Sequence, residues 1–224
     1  MAAFARAVDE GYRYLETDVH ATADGVLVAF HDFRLDRVTD GRGRISDLTW
    51  DQVRTALIGG REPIPLMAEV LAAFPDTRFN IDPKTDRAVG PLIDLLQSSG
   101  AIDRVGLGSF SDRRLATLRQ ALGPDVATSL GPSGVALLVA ASRLRLTPRP
   151  GGAQAAQVPV RYGRARVISP AFIRTAHVGG LEVHVWTVDR PAEMHRLLDL
   201  GADGIMTDRP DLLRTVLLER GEWE

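Results

Sequence analysis

Hydrophobic positions in this chain follow two alternating rhythms. Residues 12–20, 27–30, 79–82, 105–109, 126–130, 157–160, 183–188 and 204–207 form short runs that alternate in polarity or stay apolar, which predicts strands. Residues 2–10, 50–57, 66–74, 89–99, 112–122, 134–143, 170–177, 191–200 and 211–219 repeat their apolar positions at helical spacing instead. Strand and helix take turns along the chain, the signature of an α/β fold. Residues 148–152 read as a loop rather than a linker, because the alternation resumes behind them. With 224 residues and 45% hydrophobic content the chain can bury a sizeable core, and a single domain over 1–224 is expected.

The first predicted strand also carries chemistry. Alternate side chains of a strand share a face, so Glu16 and Asp18 point the same way, roughly 6.5–7 Å apart. Leu15 and Val19 take the other face. Two carboxylates on a buried face repel each other and resist desolvation; a divalent cation is the simplest thing that makes the arrangement favourable. His20 continues that face and is expected as a polar residue at the rim, where it could line the mouth of a site. His31 follows the apolar run 26–30, so it is expected at the C-terminal end of a strand, with Asp32 beside it fixing the loop. A histidine there can exchange protons near neutral pH.

Charge narrows the range of partners. Lys plus Arg total 27 against 29 Asp plus Glu, a formal net charge of −2, so no basic field for nucleic acid or an anionic membrane follows. No apolar run approaches the roughly 20 residues that span a bilayer, so no stable membrane insertion is expected. No secretory signal is visible, which points to the cytoplasm unless an upstream signal has been lost. The absence of cysteine excludes disulfides and thiolate metal sites. Among the 27 cationic residues the only lysine is Lys84, close behind Asp82. In so arginine-rich a background, a retained ammonium marks a place where a phosphate oxygen or a tight pocket demands a point charge.

Several motifs then fall in a familiar order. They are Glu16-x-Asp18-Val19 with Thr22-x-Asp24-Gly25; the run 26–30 with His31-Asp32; the segment 35–43; Ile64-Pro65-Leu66; and Asn80-Ile81-Asp82-Pro83-Lys84. Near the end come Val185-Trp186-Thr187-Val188 and the stretch 201–208. Together they resemble the glycerophosphodiester phosphodiesterase family over nearly the whole chain. The resemblance implies a TIM (β/α)8 barrel of the phosphodiesterase type with its first strand missing or altered. The family usually opens with a strand ending in His-Arg-Gly and then Glu-Asn-Thr, whereas this chain begins as the first helix already under way. A full barrel typically needs about 250 residues, which agrees with a missing strand.

The resemblance also assigns roles. Glu16, Asp18 and Asp82 would be the ligands of a divalent metal ion, Mg²⁺ or Ca²⁺, with aspartate at 82 where the family commonly has glutamate. His31 and Lys84 would be catalytic. Lys84 and Trp186 would bind substrate, Trp186 against its glycerol or alcohol portion. Ser109-Phe110 and Gln157 are further contact candidates. His184 reads as a core histidine, and His177 and His195 as peripheral. The implied reaction is metal-dependent hydrolysis of a small-molecule glycerophosphodiester to glycerol 3-phosphate and an alcohol. It proceeds through a cyclic phosphate, with one histidine taking a proton and another delivering one. His20 could stand in for the second. Three readings stay open: an active enzyme whose start lies upstream, a catalytically impaired barrel that binds phosphodiesters or a partner, and a lysophospholipase D-type lipid phosphodiesterase. The last would call for an apolar rim, while the loops 39–47 and 147–152 are polar or rich in Gly and Pro. The leaving alcohol, the metal and the oligomeric state are left undetermined.

Overall fold

The computed structural model of the chain describes residues 1–144, 146–147 and 149–223. Pro148, at the start of the expected loop, lies outside the described residues. The chain forms two compact units, one from Met1 to Ala127 and one from Thr128 onward.

The first unit runs α1 (Ala2–Asp9), β1 (Tyr14–Ala21), β2 (Leu27–Ala29), α2 (Met67–Ala73), β3 (Arg78–Pro83), α3 (Val89–Ser99), β4 (Val105–Leu107) and α4 (Asp112–Leu122). The chain passes into the second unit within β5 (Ala127–Thr128). The sheet order is β2-β1-β3-β4-β5. β1 pairs parallel with β3 from Tyr14↔Arg78 to Val19↔Pro83, and β3 pairs parallel with β4. One core cluster joins Leu15 and Val19 of β1, Phe79 and Ile81 of β3 and Leu107 of β4 to Met67, Val70, Leu92, Leu96 and Leu118 of the helices. Burying a side chain of this size stabilises the fold by about 1.5–3 kcal/mol.

β2 folds back antiparallel on β1, pairing Val19↔Ala29 and His20↔Val28. The turn is built by Asp24-Gly25. Thr22 Oγ1 donates to Asp24 Oδ1 at 2.6 Å, Val26 N donates to Thr22 Oγ1 at 2.9 Å, and Gly25 takes φ +85°, a conformation that suits glycine.

Between β2 and α2 the chain makes a long excursion with a small core of its own. Val28, Phe30, Leu35, Ile45, Val53, Ala56 and Ile64 are all buried together. The helix expected over 50–57 is here only Trp50–Val53, opened by a capping box of Thr49 and Gln52. It stops because Leu57 N donates to Asp40 Oδ1 at 2.6 Å and Leu57–Ile58 pairs antiparallel with Glu62–Pro63 across Gly59-Gly60, both at positive φ.

The second unit contains α5 (Pro132–Leu144), β6 (Ala155–Pro159), α6 (Pro170–Val178), β7 (Glu182–Trp186), α7 (Pro191–Asp199), β8 (Gly204–Ile205) and α8 (Pro210–Arg220). Its sheet has the order β8-β7-β6, all parallel. Helices α5 to α8 each begin with proline, whose fixed φ suits the first turn and which has no N–H to leave unpaired. No described helix is long and apolar enough to cross a membrane.

Candidate active site

The register of β1 and β3 sets Asp18 directly opposite Asp82. Both are buried. Lys84 extends the pairing, its N–H donating to Val19 O at 3.0 Å. Its ammonium lies 2.6 Å from Asp18 Oδ1 and 3.3 Å from Asp82 Oδ2. Burial alone would lower the Lys84 pKa, but the two carboxylates outweigh it and hold the ammonium above its ordinary range. Burial pushes the Asp82 carboxyl up, against the pull of Lys84. Phe110 presents its ring 5.9 Å from the Lys84 ammonium.

His31 reaches these acids by a route the sequence reading did not foresee. It follows the C-terminal end of a strand, as expected, but that strand, β2, runs antiparallel to β1. The hairpin instead carries the chain back beside Asp18, with Phe30 N donating to Asp18 O at 2.9 Å. His31 Nε2 stands 3.9 Å from Asp18 Oδ2, and Nδ1 stands 2.7 Å from Asp32 Oδ1. Arg37 grips that same carboxylate, Nε to Oδ2 at 2.6 Å and Nη2 to Oδ1 at 2.9 Å. Arg37, helped by His31 and opposed by burial, brings the Asp32 pKa down to about 2. An ionised carboxylate can only accept, so Nδ1 carries the hydrogen and Nε2 keeps its lone pair on the neutral ring.

His20 does not line the mouth. It is 2% exposed, its Nε2 is 3.2 Å from the carbonyl oxygen of His31, and its ring meets that of Phe33 edge-on. Burial lowers its pKa against the pull of that carbonyl. Its place makes it a prop for the His31 backbone rather than a second proton donor.

A cavity of about 600 Å³ opens over these groups, lined by His31, Asp32, Phe33, Arg34, Asp36, Arg37, Asp82, Lys84, Phe110 and Arg114. Phe33, Arg34, Arg37 and Arg114 were not singled out from the sequence. Arg37 sits in a one-turn helix of the excursion, where side-chain periodicity says nothing, and Arg114 lies on a helix face that spacing alone assigns to solvent.

The metal ligands are gathered only in part. Asp18 and Asp82 are adjacent, but Glu16 is exposed and stands level with Asn80, so the expected pair of buried acids on β1 is one buried and one exposed. Strand alternation gives the shared face but not what covers each position along it. Among the described residues no group of three or more histidine, cysteine or carboxylate side chains is placed to hold a metal ion. Asp82 Oδ1 is nevertheless buried without a hydrogen-bond partner. Two facing carboxylates with a spare oxygen are a donor set that fits a hard divalent cation.

The remaining candidates lie in the second unit. Trp186 ends β7 and is half-buried. His184 stands 3.0 Å from Glu182 Oε2 and 3.5 Å from Gln157 Nε2. His177 meets Asp203 at 2.8 Å and His195 meets Glu219 at 3.4 Å.

Positions 1–212 match the model of the "Glycerophosphoryl diester phosphodiesterase family". "Probable glycerophosphodiester phosphodiesterase 2" of Mycobacterium tuberculosis is 44% identical over 235 residues, which cover 100% of this chain and 86% of that protein. The crystal structure of a glycerophosphodiester phosphodiesterase from Agrobacterium tumefaciens superposes with a TM-score of 0.77 at 23% identity, covering 96% of this chain and 91% of the other. An Oleispira antarctica phosphodiesterase solved with the product sn-glycerol-3-phosphate gives a TM-score of 0.79 at 19% identity, covering 96% and 89%. At these identities the structural likeness shows the fold, the α/β architecture of the TIM-barrel phosphodiesterases.

Proposed function

The chain belongs to the glycerophosphoryl diester phosphodiesterase family, and from that premise we propose that it hydrolyses glycerophosphodiesters to glycerol 3-phosphate and an alcohol. The observation that supports this reading is the meeting of Lys84, Asp82 and His31 at one cavity, with Asp18 paired to Lys84 beside them. Lys84 offers a compact positive charge to the phosphoryl oxygens, where charge develops as the bond to the leaving group breaks. His31 Nε2 takes the proton from the glycerol 2-hydroxyl as that oxygen attacks phosphorus. The expelled alcohol oxygen takes its proton from solvent in the open cavity, and water then opens the cyclic phosphate. Asp18 and Asp82, with Glu16 further back on β1, would hold Mg²⁺ or Ca²⁺, which when bound lowers the pKa of the 2-hydroxyl and offsets phosphoryl charge.

Hydrolysis of glycerophosphocholine with Mg²⁺, with Ca²⁺ and with chelator, in the wild type and His31→Asn, tests this. Metal-dependent release of glycerol 3-phosphate, lost in the variant, is expected. No release from a folded protein that still binds the diester would leave a binding barrel in place of an enzyme.

Phe33 and Phe110 favour a second reading. Both line the cavity and are 52% and 61% exposed, an apolar rim that the loop composition did not announce. A lysophospholipid could lay its chain there. Faster turnover of lysophosphatidylcholine than of glycerophosphocholine would select that substrate.

A further inference from the structure

Buried polar side-chain atoms in a folded protein nearly always have a hydrogen-bond partner, so exceptions gathered in one place point to a missing ligand. Among the described residues five such atoms lack one, and four of them come from the ends of β3 and β4 and the segments just behind: Asp82 Oδ1, Thr85 Oγ1, Ser109 Oγ and Arg114 Nε. Asp82 is spoken for by the catalytic reading. Of the other three residues, Arg114 is the one that lines the cavity.

Arg114 stands apart from the other cations of the cavity. Arg37 is held by Asp32, Arg34 by Asp36 at 3.1 Å and Lys84 by Asp18, all at hydrogen-bond distance. Arg114 is drawn to Asp82 by charge alone and to Asp86, whose Oδ1 lies 3.8 Å from its Nε, too far for a hydrogen bond, and Asp86 is already paired to Arg113. One carboxylate thus faces two guanidinium groups, and the side chain that lines the cavity is the looser of the two. Its side chain is nonetheless only 14% exposed, so the charge is held largely out of water. A guanidinium with an unsatisfied N–H at the wall of a cavity is a receptor for a carboxylate or phosphate.

We propose that Arg114 forms a subsite for a second anionic group carried by the alcohol half of the substrate. The subsite selects diesters with acidic leaving alcohols over neutral or cationic ones. The inference rests on the phosphodiester reading above, since the scissile phosphate is there assigned to Lys84.

The test compares glycerophosphoserine with glycerophosphoethanolamine, which differ only by a carboxylate, and glycerophosphoinositol 4-phosphate with glycerophosphoinositol, which differ only by a phosphate. kcat/KM is measured for wild type, Arg114→Met and Arg114→Lys, each first checked for an unchanged thermal melt. Wild type should prefer the acidic member of at least one pair, and the pair concerned identifies carboxylate or phosphate as the ligand. The preference should fall by about tenfold or more in Arg114→Met, the order expected for one lost charge-assisted contact, and recover in part in Arg114→Lys. An unchanged ratio, or equal loss on both members of each pair, overturns the proposal. If wild type turns over none of the four, the phosphodiester reading fails. Calorimetric binding of the same diesters to wild type and Arg114→Met then decides the subsite by the same ratio.

Discussion

Lys84 and Asp18 are joined at 2.6 Å because β1 and β3 run in parallel register and Lys84 follows directly on the end of β3. The ammonium reaches Asp82 as well, so one small cation sits between two buried carboxylates and offsets one of their two charges. A guanidinium is planar and longer, and does not fit as a point charge between them. Lys84→Arg should therefore lower kcat by about 10²–10³-fold, the range for removal of one preorganised charge-stabilising donor. Lys84→Met should do the same and also destabilise the fold, by about 1–3 kcal/mol once partial exposure is allowed for. Urea denaturation of both variants beside their kinetics checks this. Wild-type rates in Lys84→Arg would remove the lysine from the chemistry.

Asp32 and Arg37 give a pH prediction. Asp32 has a folded pKa of about 2, below its ordinary 3.8, so its contribution to stability is present above pH 3.8 and lost as pH falls through about 2. In wild type, then, Asp32 stays ionised across the working range and the His31 ring keeps its hydrogen on Nδ1. Arg37→Met removes the main cause of the depression. Asp32 should then protonate at higher pH, its contribution to stability should shrink, and kcat should fall by about tenfold or more. Superimposable pH profiles of kcat for wild type and Arg37→Met would show that this relay does not act on His31.

The contrast between these two pairs marks what the sequence could reveal. Lys84 stood out because no other lysine exists in the chain, and Asp18 because strand alternation placed it beside Glu16. Both signals are local. The exposure of Glu16 depends on what later elements cover, and the grip of Arg37 on Asp32 depends on how the excursion folds; alternation encodes neither. The reversal of β2 was partly legible, since Asp24-Gly25 between apolar runs is a hairpin signal. Likewise Gly59-Gly60 announced a turn where a longer helix was expected over 50–57.

Gly41 tests whether the excursion positions the Asp32 relay. A Cβ on Gly41 would come within 2.6 Å of the Ala56 side chain, inside the small core of Leu35, Ile45 and Val53. Gly41→Ala should destabilise by about 1–3 kcal/mol through overpacking and reduce kcat by loosening the His31 segment. Ala56→Gly in the same chain removes the clashing atom and should restore much of both. Loss of stability with no rescue in the double variant would place the strain elsewhere.

Asp82 carries the metal prediction. Its Oδ1 is buried and unpartnered, and it faces Asp18 across the β1–β3 pairing, so a divalent cation would find a waiting oxygen there. A ligand that binds only the folded state at 100 times its dissociation constant stabilises it by about 2.7 kcal/mol. Millimolar Mg²⁺ or Ca²⁺ should therefore raise the melting temperature of the wild type, and chelator should reverse the rise. Asp82→Asn and Asp18→Asn each remove a charged ligand and should abolish most of the shift, with no turnover needed for the readout. Glu16→Gln should reduce it less, because that side chain is exposed and stands off the Asp18–Asp82 pair. An equal shift in all three variants would locate the cation away from these strands, leaving Lys84 as the one cation between the paired acids.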